Sequence, residues 1–566
     1  MVSPPPLPVP IPEVRVAQPV QGSRLHLAGT EITTPWFWVG NDQRKPDQLW
    51  LPLDVLIGGL GFQRQQSRTG ELLEWYGQKG LLSELPQRTI DDEVGIEVSQ
   101  WLRNLGVQVN RASNGLVIDF PPATVVRLRR GKGSTANRLV LDLNRAALVQ
   151  RQGSDLRLGI SVTPSQERQL RALGLKPRRK SNSLVLEGQS TMLSTLTLTA
   201  PWRVVLDGVS TGTAKPAGRD GRDPLAAALL NPTIQRLLRR GLILDRRVVK
   251  VGVKSVMIYR IGANPTRQRL DLRPLAPTHS QQGLRYLTQL SQPAGALMSV
   301  NGGFFNRVRQ LPLGAVKRDG TWLSGPILNR GAVGWGADNR LQFGRLRLHQ
   351  ELRVEGGPPW GLGYLNSGYV QRGLSRYDRA WGPVYRALSS QEKAMTVING
   401  QVRSTHDNAA LSRGVPIPHQ GDLIVARAGA PLPAQFGQRV AIRSTSSDPL
   451  GNQPQVLGGG PLLLKGGQVV LNGRGEGFRD GFLSQGAPRT VIAQDRTRLW
   501  LLTLEGAGNS DPTLLESSLA LKQLGISDAL NLDGGSSTSL FVANQLVMTG
   551  RGIAPRVQNA VGLVPR

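Results

Sequence analysis

The stretch Ala529–Leu540, reading A-L-N-L-D-G-G-S-S-T-S-L, constrains the chain more than any other. Leu530 and Leu532 alternate with Asn531 and Asp533, so the period is two and the stretch opens as a strand. The leucines can then face a core, while Asn531 and Asp533 share the opposite face. Gly534 and Gly535 follow at once. Two glycines admit left-handed backbone whose N–H groups turn inward and form a small anion-binding concavity. Ser536, Ser537 and Thr538 add hydroxyls. The plainer reading of these residues is an Asp-Gly hairpin turn capped by serines. The residues upstream favour a site. Asp511 reads as a helix N-cap and Pro512 as its first residue. Leu514, Leu515, Leu521 and Leu524 form an apolar stripe, and Gly525 is the stop. A helix feeding a buried strand that ends in polar groups is a common way to build an α/β site.

A chain of 566 residues holds more than one domain. It contains no cysteine, which excludes disulfides, thiolate metal sites and cysteine nucleophiles. The five histidines are scattered without metal-ligand spacing. No apolar run is long enough to span a bilayer. The net charge is +30, carried mostly by arginine and confined to the chain beyond the first hundred residues, which are net acidic. Arginine suits two-pronged contacts to phosphate or carboxylate, so an anionic partner is expected: a phosphorylated sugar, an acidic glycan or cell-wall material. A genome rich in G and C would also favour arginine codons. Nucleic acid fits poorly, because Arg127–Lys132 and Arg178–Lys180 have no interleaved aromatics.

Residues 1–25 read as a proline-rich extended arm that lacks the charged start and apolar helix of a signal peptide. Residues 26–210 repeat one pattern three times: a short helix, Leu-Gly, then two strands. The Leu-Gly pairs are Leu60-Gly61, Leu105-Gly106 and Leu173-Gly174, and Asn114-Gly115 reads as the turn of the second hairpin. The first two copies, within 26–121, resemble copper amine oxidase N-terminal-like modules, and the likeness implies no copper. Asn137–Leu143, within 122–210, resembles the start of an AMIN domain, an envelope-targeting module that implies contact with peptidoglycan. Gly208-Val209-Ser210-Thr211-Gly212 contains G-x-S-x-G. The Lys, Pro and Gly that follow are linker chemistry rather than the helix of a nucleophile elbow. Residues 211–223 are the expected linker, and 224–566 form the last domain.

That domain opens with a leucine-rich helical stretch, Leu225–Arg240, containing Pro232. A second polar cluster, Asn301-Gly302-Gly303-Phe304-Phe305, follows the strand pattern Ala296–Val300. Gly458-Gly459-Gly460-Pro461 precedes an apolar strand, and three glycines in a row require something close to that backbone, a ligand or a packed strand. Pro488-Arg489-Thr490 opens another strand, Leu499–Leu504 pairs with it and ends in Glu505-Gly506, and Arg556–Ala560 reads as a closing strand.

In this order the clusters at Asn301, Gly458, Pro488, Asp528 and Asn559 resemble the phosphodiester glycosidase family. The likeness spans roughly Arg247–Pro565. Its best-known activity is the N-acetylglucosamine-1-phosphodiester α-N-acetylglucosaminidase that uncovers mannose 6-phosphate. Ser536 stands where many relatives carry a third glycine, and Gly508-Asn509-Ser510 is a short version of a longer polar segment. The resemblance implies cleavage of a sugar from a phosphodiester at the anomeric carbon. It makes Asp533 the acid/base or sugar-orienting carboxylate and Glu505 the second carboxylate, with Arg489 and Arg556 on the phosphate. The Gly302-Gly303 and Gly534-Gly535 backbones would bind oxygens. Asn301, Asn531 and Ser536 would hydrogen-bond sugar hydroxyls, with Phe304, Gly459, Gly460, Thr490, Ser537 and Asn559 completing the substrate-binding set. Structural alternatives stand beside these roles. Asp533 could cap its own turn, Glu505 could be a solvated hairpin residue, Arg489 could form an ion pair, and Asn559 could satisfy backbone. No cofactor or metal ligand set is implied. Calcium at Asp533 stays open, although no D-x-D-x-D-G loop is present.

The expected fold is α+β: a mixed, strand-rich catalytic domain behind small helix-plus-hairpin modules. The expected protein is an enzyme of the periplasm or extracellular envelope. A non-catalytic protein that binds cell wall or anionic glycan is the alternative.

Overall fold

Val491 and Ala493 point to one side of the strand Arg489–Gln494 and Ile492 to the other, and all three are fully buried. The sheet that holds this strand is therefore covered on both faces. The computed structural model describes residues 19–53, 55–66, 71–90, 93–113, 115–131, 137–152, 155–180, 182–188, 193–209, 224–277, 279–307, 309–507, 511–550 and 554–566. The expected linker 211–223, Ser210, Asn114 and Gly508–Ser510 lie outside these residues.

The covered sheet has seven strands, all antiparallel, in the order Ile243–Val251, Lys254–Ala263, Leu499–Gly506, Arg489–Gln494, Asp528–Asn531, Leu462–Lys465, Gln468–Val469. On one face Leu501, Ile492, Leu530 and Leu532 pack against two five-stranded sheets. The first contributes Met298, Val300, Leu540 and Val561, and the second contributes Val333, Trp335 and Leu457. On the other face Leu502, Leu504 and Val491 pack against Leu514, Ala520 and Leu521 of the helix Leu514–Gln523. A further seven-stranded sheet, running from Leu348 to Ser446, carries the strand Pro359–Leu365.

Several expected boundaries shift. Thr513, not Asp511, caps the helix: its Oγ1 accepts from Glu516 N at 3.2 Å, and Glu516 Oε2 accepts from Thr513 N at 2.8 Å. Thr513 wins because it closes a reciprocal capping box with Glu516. The Asp511 carboxylate instead accepts from Gly506 N at 2.9 Å. Leu515 leaves the apolar stripe and is 51% exposed. Leu225–Arg240 is two helices, Pro224–Leu229 and Pro232–Arg239, the second capped by Asn231. The long closing strand is Ala560–Pro565, and Arg556–Val557 forms only a short ribbon with Arg285–Tyr286.

In the N-terminal half the helix Ser99–Asn104 ends at Gly106, where φ is +66°, and the hairpin Gln108–Ala112/Gly115–Asp119 follows. The hairpin joins a seven-stranded sheet by parallel pairing to Pro19–Leu27. That strand shortens the arm expected over 1–25, of which 1–18 lie outside the described residues. The helix Pro164–Ala172 and hairpin Pro177–Lys180/Ser183–Leu186 belong to a separate four-stranded sheet. Arg138–Leu143 lies in the middle of a five-stranded sheet. Around Leu60-Gly61 a short π-helical turn, Val55–Gly59, precedes a three-stranded sheet. Tyr76 ties that sheet to the region beyond it, because its hydroxyl donates to Ala147 O at 2.8 Å and accepts from Ala147 N at 3.0 Å. The fold is mixed and strand-dominated. Among the described residues no helix is long and apolar enough to cross a membrane.

Replacing Thr513 by Ala should lower the unfolding free energy by about 1 kcal/mol. Denaturant titration checks this, and an unmoved midpoint would place the cap elsewhere.

Candidate functional site

Asp533 emerges just beyond the strand Asp528–Asn531, where the central sheet meets the strand Met298–Asn301 of its neighbour. Asp533 N donates to Gly302 O at 3.0 Å, and Asn301 Nδ2 donates to Asp533 O at 2.7 Å. Asn301 Oδ1 accepts from Thr490 Oγ1 at 2.7 Å and from Ser539 N at 3.0 Å. The Asn301 oxygen and one of its N–H groups thus join two sheets, and the Thr490 hydroxyl donates to the same amide.

The glycines answer to backbone packing. A Cβ on Gly302 would lie 1.9 Å from Asn559 Oδ1, one on Gly303 2.6 Å from Gly458 O, and one on Gly459 2.3 Å from Asn531 O. Gly302 N donates to Asn559 O at 2.9 Å, and Gly303 N donates to Asn559 Oδ1 at 2.8 Å. Asn559 therefore satisfies backbone. Gly534 N donates to Asp533 Oδ1 at 3.0 Å, and Gly535 N donates to Pro488 O at 2.8 Å. These four N–H groups are already engaged within the chain, so the expected oxygen-binding concavities do not form. Of the two explanations for the triple glycine, the packed strand holds: Gly460 N donates to Asn531 O at 2.7 Å.

The charges remain. The Asp533 side chain is 8% exposed, and burial pushes its carboxyl up. Arg307, the Ser537 hydroxyl, the Gly534 N–H and Arg489 oppose that rise. Ser536 Oγ accepts from Arg307 Nη1 at 3.0 Å, so the serine in the usual glycine position holds an arginine. Arg489 is buried, donates to Gln485 O and lies 5.5 Å from the Phe482 ring centroid. Phe482 stacks on Phe478 at 4.9 Å, and Phe304 meets both rings edge-on or tilted, at 5.9 and 5.5 Å. Arg330 stands over Phe478 at 4.0 Å. Asn531 Nδ2 donates to Gly460 O at 2.7 Å, while its buried Oδ1 has no hydrogen-bond partner among the described residues. Arg556 sits on the short ribbon opposite Tyr286. Among the described residues there is no group of three or more His, Cys, Asp or Glu side chains that could hold a metal ion.

Sequence reasoning missed Arg307, Arg330 and Phe478. Arg307 lies six positions beyond Asn301 in N-G-G-F-F-N-R, and the serine in place of a glycine was its only signal. Arg330 and Phe478 reach the site from segments far apart in sequence, with no local pattern to mark them.

Glu505 is half-buried at the end of its strand. Leu504 pairs with Arg489, so Glu505 falls across from Pro488, whose carbonyl receives the Gly535 N–H. Burial, reinforced by Asp511 and opposed by Tyr259 and Arg246, pushes its carboxyl up to about 7. These neighbours are not the ones acting on Asp533, so the two carboxylates keep separate surroundings. Between about pH 4.5 and 7 the folded chain holds a proton here that the unfolded chain has released. Stability should therefore fall as pH rises through that window, by up to about 3 kcal/mol. Glu505→Gln should flatten this slope in thermal melts, and an equally steep slope in the variant would assign it to another group.

A family model described as phosphodiester glycosidase matches residues 392–564. Among solved structures, a hypothetical protein from Synechocystis is 30% identical with a TM-score of 0.58, over 96% of this chain and 99% of that one. A protein from Burkholderia pseudomallei K96243 is 17% identical with a TM-score of 0.45, over 76% of this chain and 94% of that one. The catalytic domain of zebrafish N-acetylglucosamine-1-phosphodiester alpha-N-acetylglucosaminidase, auto-inhibited by its pro-peptide, is 13% identical with a TM-score of 0.33, covering 57% and 83%. No curated protein matches the chain. With its five clusters in order and a full-length relative at this identity, the chain belongs to the phosphodiester glycosidase family.

Proposed function

We propose that the protein hydrolyses a sugar-1-phosphodiester on a cell-envelope or exopolysaccharide substrate. One observation carries the reading: a buried carboxylate, Asp533, lies within the field of two guanidiniums, Arg307 and Arg489. An anion-recognising pair beside a carboxylate is what this chemistry requires. The bond between the anomeric carbon and the phosphate oxygen breaks, and the phosphate leaves with the bonding electrons. Arg307 and Arg489 would bind the negative charge that collects there. Phosphate is a good leaving group, so protonation matters less than it does for an alkoxide.

Water supplies the hydroxyl that ends on the anomeric carbon, and Asp533 would take its proton. Burial raises the proton affinity of Asp533, and the arginines oppose that rise. The open acceptor Asn531 Oδ1 suits a sugar hydroxyl. Glu505, poised near 7, is the candidate second acid. The AMIN-like and helix-hairpin regions would hold the enzyme on the envelope, through peptidoglycan.

Release of free sugar from a panel of sugar-1-phosphodiesters tests the proposal. Asp533→Asn should lower turnover about 100-fold or more, with the melting temperature nearly unchanged because the replacement is isosteric. Activity surviving in the variant would remove Asp533 from the mechanism. A wild type that releases no sugar but binds wall material at low salt would favour a binding protein instead.

A further inference from the structure

The strand Pro359–Leu365 and the loop after it carry two tyrosines outside the chemistry above. Tyr364 and Tyr369 are both half-exposed, and their rings meet edge-on at 5.2 Å between centroids. Gln371, exposed beside them, bridges the phenols. Its Nε2 donates to Tyr369 Oη at 2.9 Å, and its Oε1 accepts from Tyr364 Oη at 3.4 Å.

The backbone between the two rings is fixed. Asn366 takes left-handed backbone, with φ +46°, and exchanges two hydrogen bonds with Asp378, of 2.7 and 2.9 Å. Ser367 O accepts from the buried Tyr377 hydroxyl at 2.9 Å. Gly368 N donates to Pro312 O at 2.9 Å, and a Cβ on Gly368 would lie 2.4 Å from Leu311 Cβ. Leu311-Pro312 pairs with Phe305-Asn306, which leads directly into Arg307, and Leu313 N donates to Phe304 O at 3.0 Å. The tyrosines are therefore mounted on the ribbon that delivers Phe304 and Arg307 to the Asp533 site. Arg330, which donates to Glu476 O at 3.3 Å and stands over Phe478, also acts on the Tyr364 phenol. Burial and Tyr369 push that phenol up against Arg347 and Arg330, so it stays neutral.

Two rings left half in water on so restrained a backbone form a preorganised platform. A pyranose ring has an apolar face of C–H groups and a rim of hydroxyls. An aromatic face takes the first with little loss of side-chain freedom, and phenol and amide groups suit the second.

The geometry points to Tyr364, Tyr369 and Gln371 as a sugar-binding subsite beside the Asp533 site, which holds a further pyranose ring of a glycan substrate. Its service to a phosphodiester substrate rests on the function proposed above. Stacking and hydrogen bonds carry the binding, so salt should hardly weaken it.

The test uses the full chain and an array of neutral and uronic-acid oligosaccharides, chitotetraose and tetragalacturonic acid among them. Wild type should bind oligosaccharides on the array, and calorimetry then measures affinity for the best of them. Tyr364→Leu and Tyr369→Leu should each weaken it about tenfold, and Gln371→Ala about fivefold. Wild-type affinity should be nearly the same in low and high salt. If a tyrosine variant does not fold, Gln371→Ala, at an exposed position, decides. No binding by wild type, equal affinity in the variants, or binding lost in high salt would overturn the assignment.

Release of sugar from the methyl phosphodiester of N-acetylglucosamine 1-phosphate by wild type separates the two readings. Release without glycan binding keeps the phosphodiester reading and removes the subsite. Tyrosine-dependent glycan binding without release keeps the subsite and removes the phosphodiester reading.

Discussion

One amide holds the arrangement together. Asn301 donates to the Asp533 carbonyl and accepts from Thr490 and Ser539, so a single buried side chain joins strands of two sheets. Every polar atom of that amide except one N–H is matched by a named partner, which is what makes burying it affordable. The glycines around it let the sheets close: Gly302, Gly303 and Gly459 each leave room that a Cβ would fill. The position of Asp533 follows from this closure, because its backbone N–H and carbonyl are both bound by the Asn301-Gly302 segment.

The same packing sets the electrostatics. Sheets that meet tightly exclude water from Asp533, and exclusion raises its proton affinity. Arg307 and Arg489 oppose that rise. Arg307 is held by Ser536, and Arg489 by the Gln485 carbonyl beside the Phe482 ring. Two guanidiniums thus act on one carboxylate there. Glu505 lies outside this balance, half-buried beside Asp511, Tyr259 and Arg246, and its shift has separate causes.

Much of the strand pattern was legible, because alternation at Leu530, Asn531 and Leu532 reports a face directly. The pairing of Pro488-Arg489-Thr490 with Leu499–Leu504 was legible for the same reason. Helix starts were less so. Asp511 and Thr513 are both good caps, and the choice between them depends on which side of Pro512 the backbone turns. The double glycines misled for a related reason. Their freedom suggests exposed N–H groups, yet freedom is equally useful for close packing, and Asn559 and Pro488 take those N–H groups. Arg330, Phe478 and Glu476 had no local signature, since their contacts exist only where segments distant in sequence converge.

By itself the sequence determined the strand-rich character, the polar cluster at the end of a buried strand and the family likeness, all of which rest on periodicity and on short runs of residues. The tertiary structure decided which of those polar groups still face a site. Hydrogen-bond capacity is finite, and Asn301, Thr490, Asn559 and the glycine amides spend theirs on one another. Arg307 and Arg489 act on Asp533 because the sheets bring them together across long separations, and no local pattern encodes such a meeting.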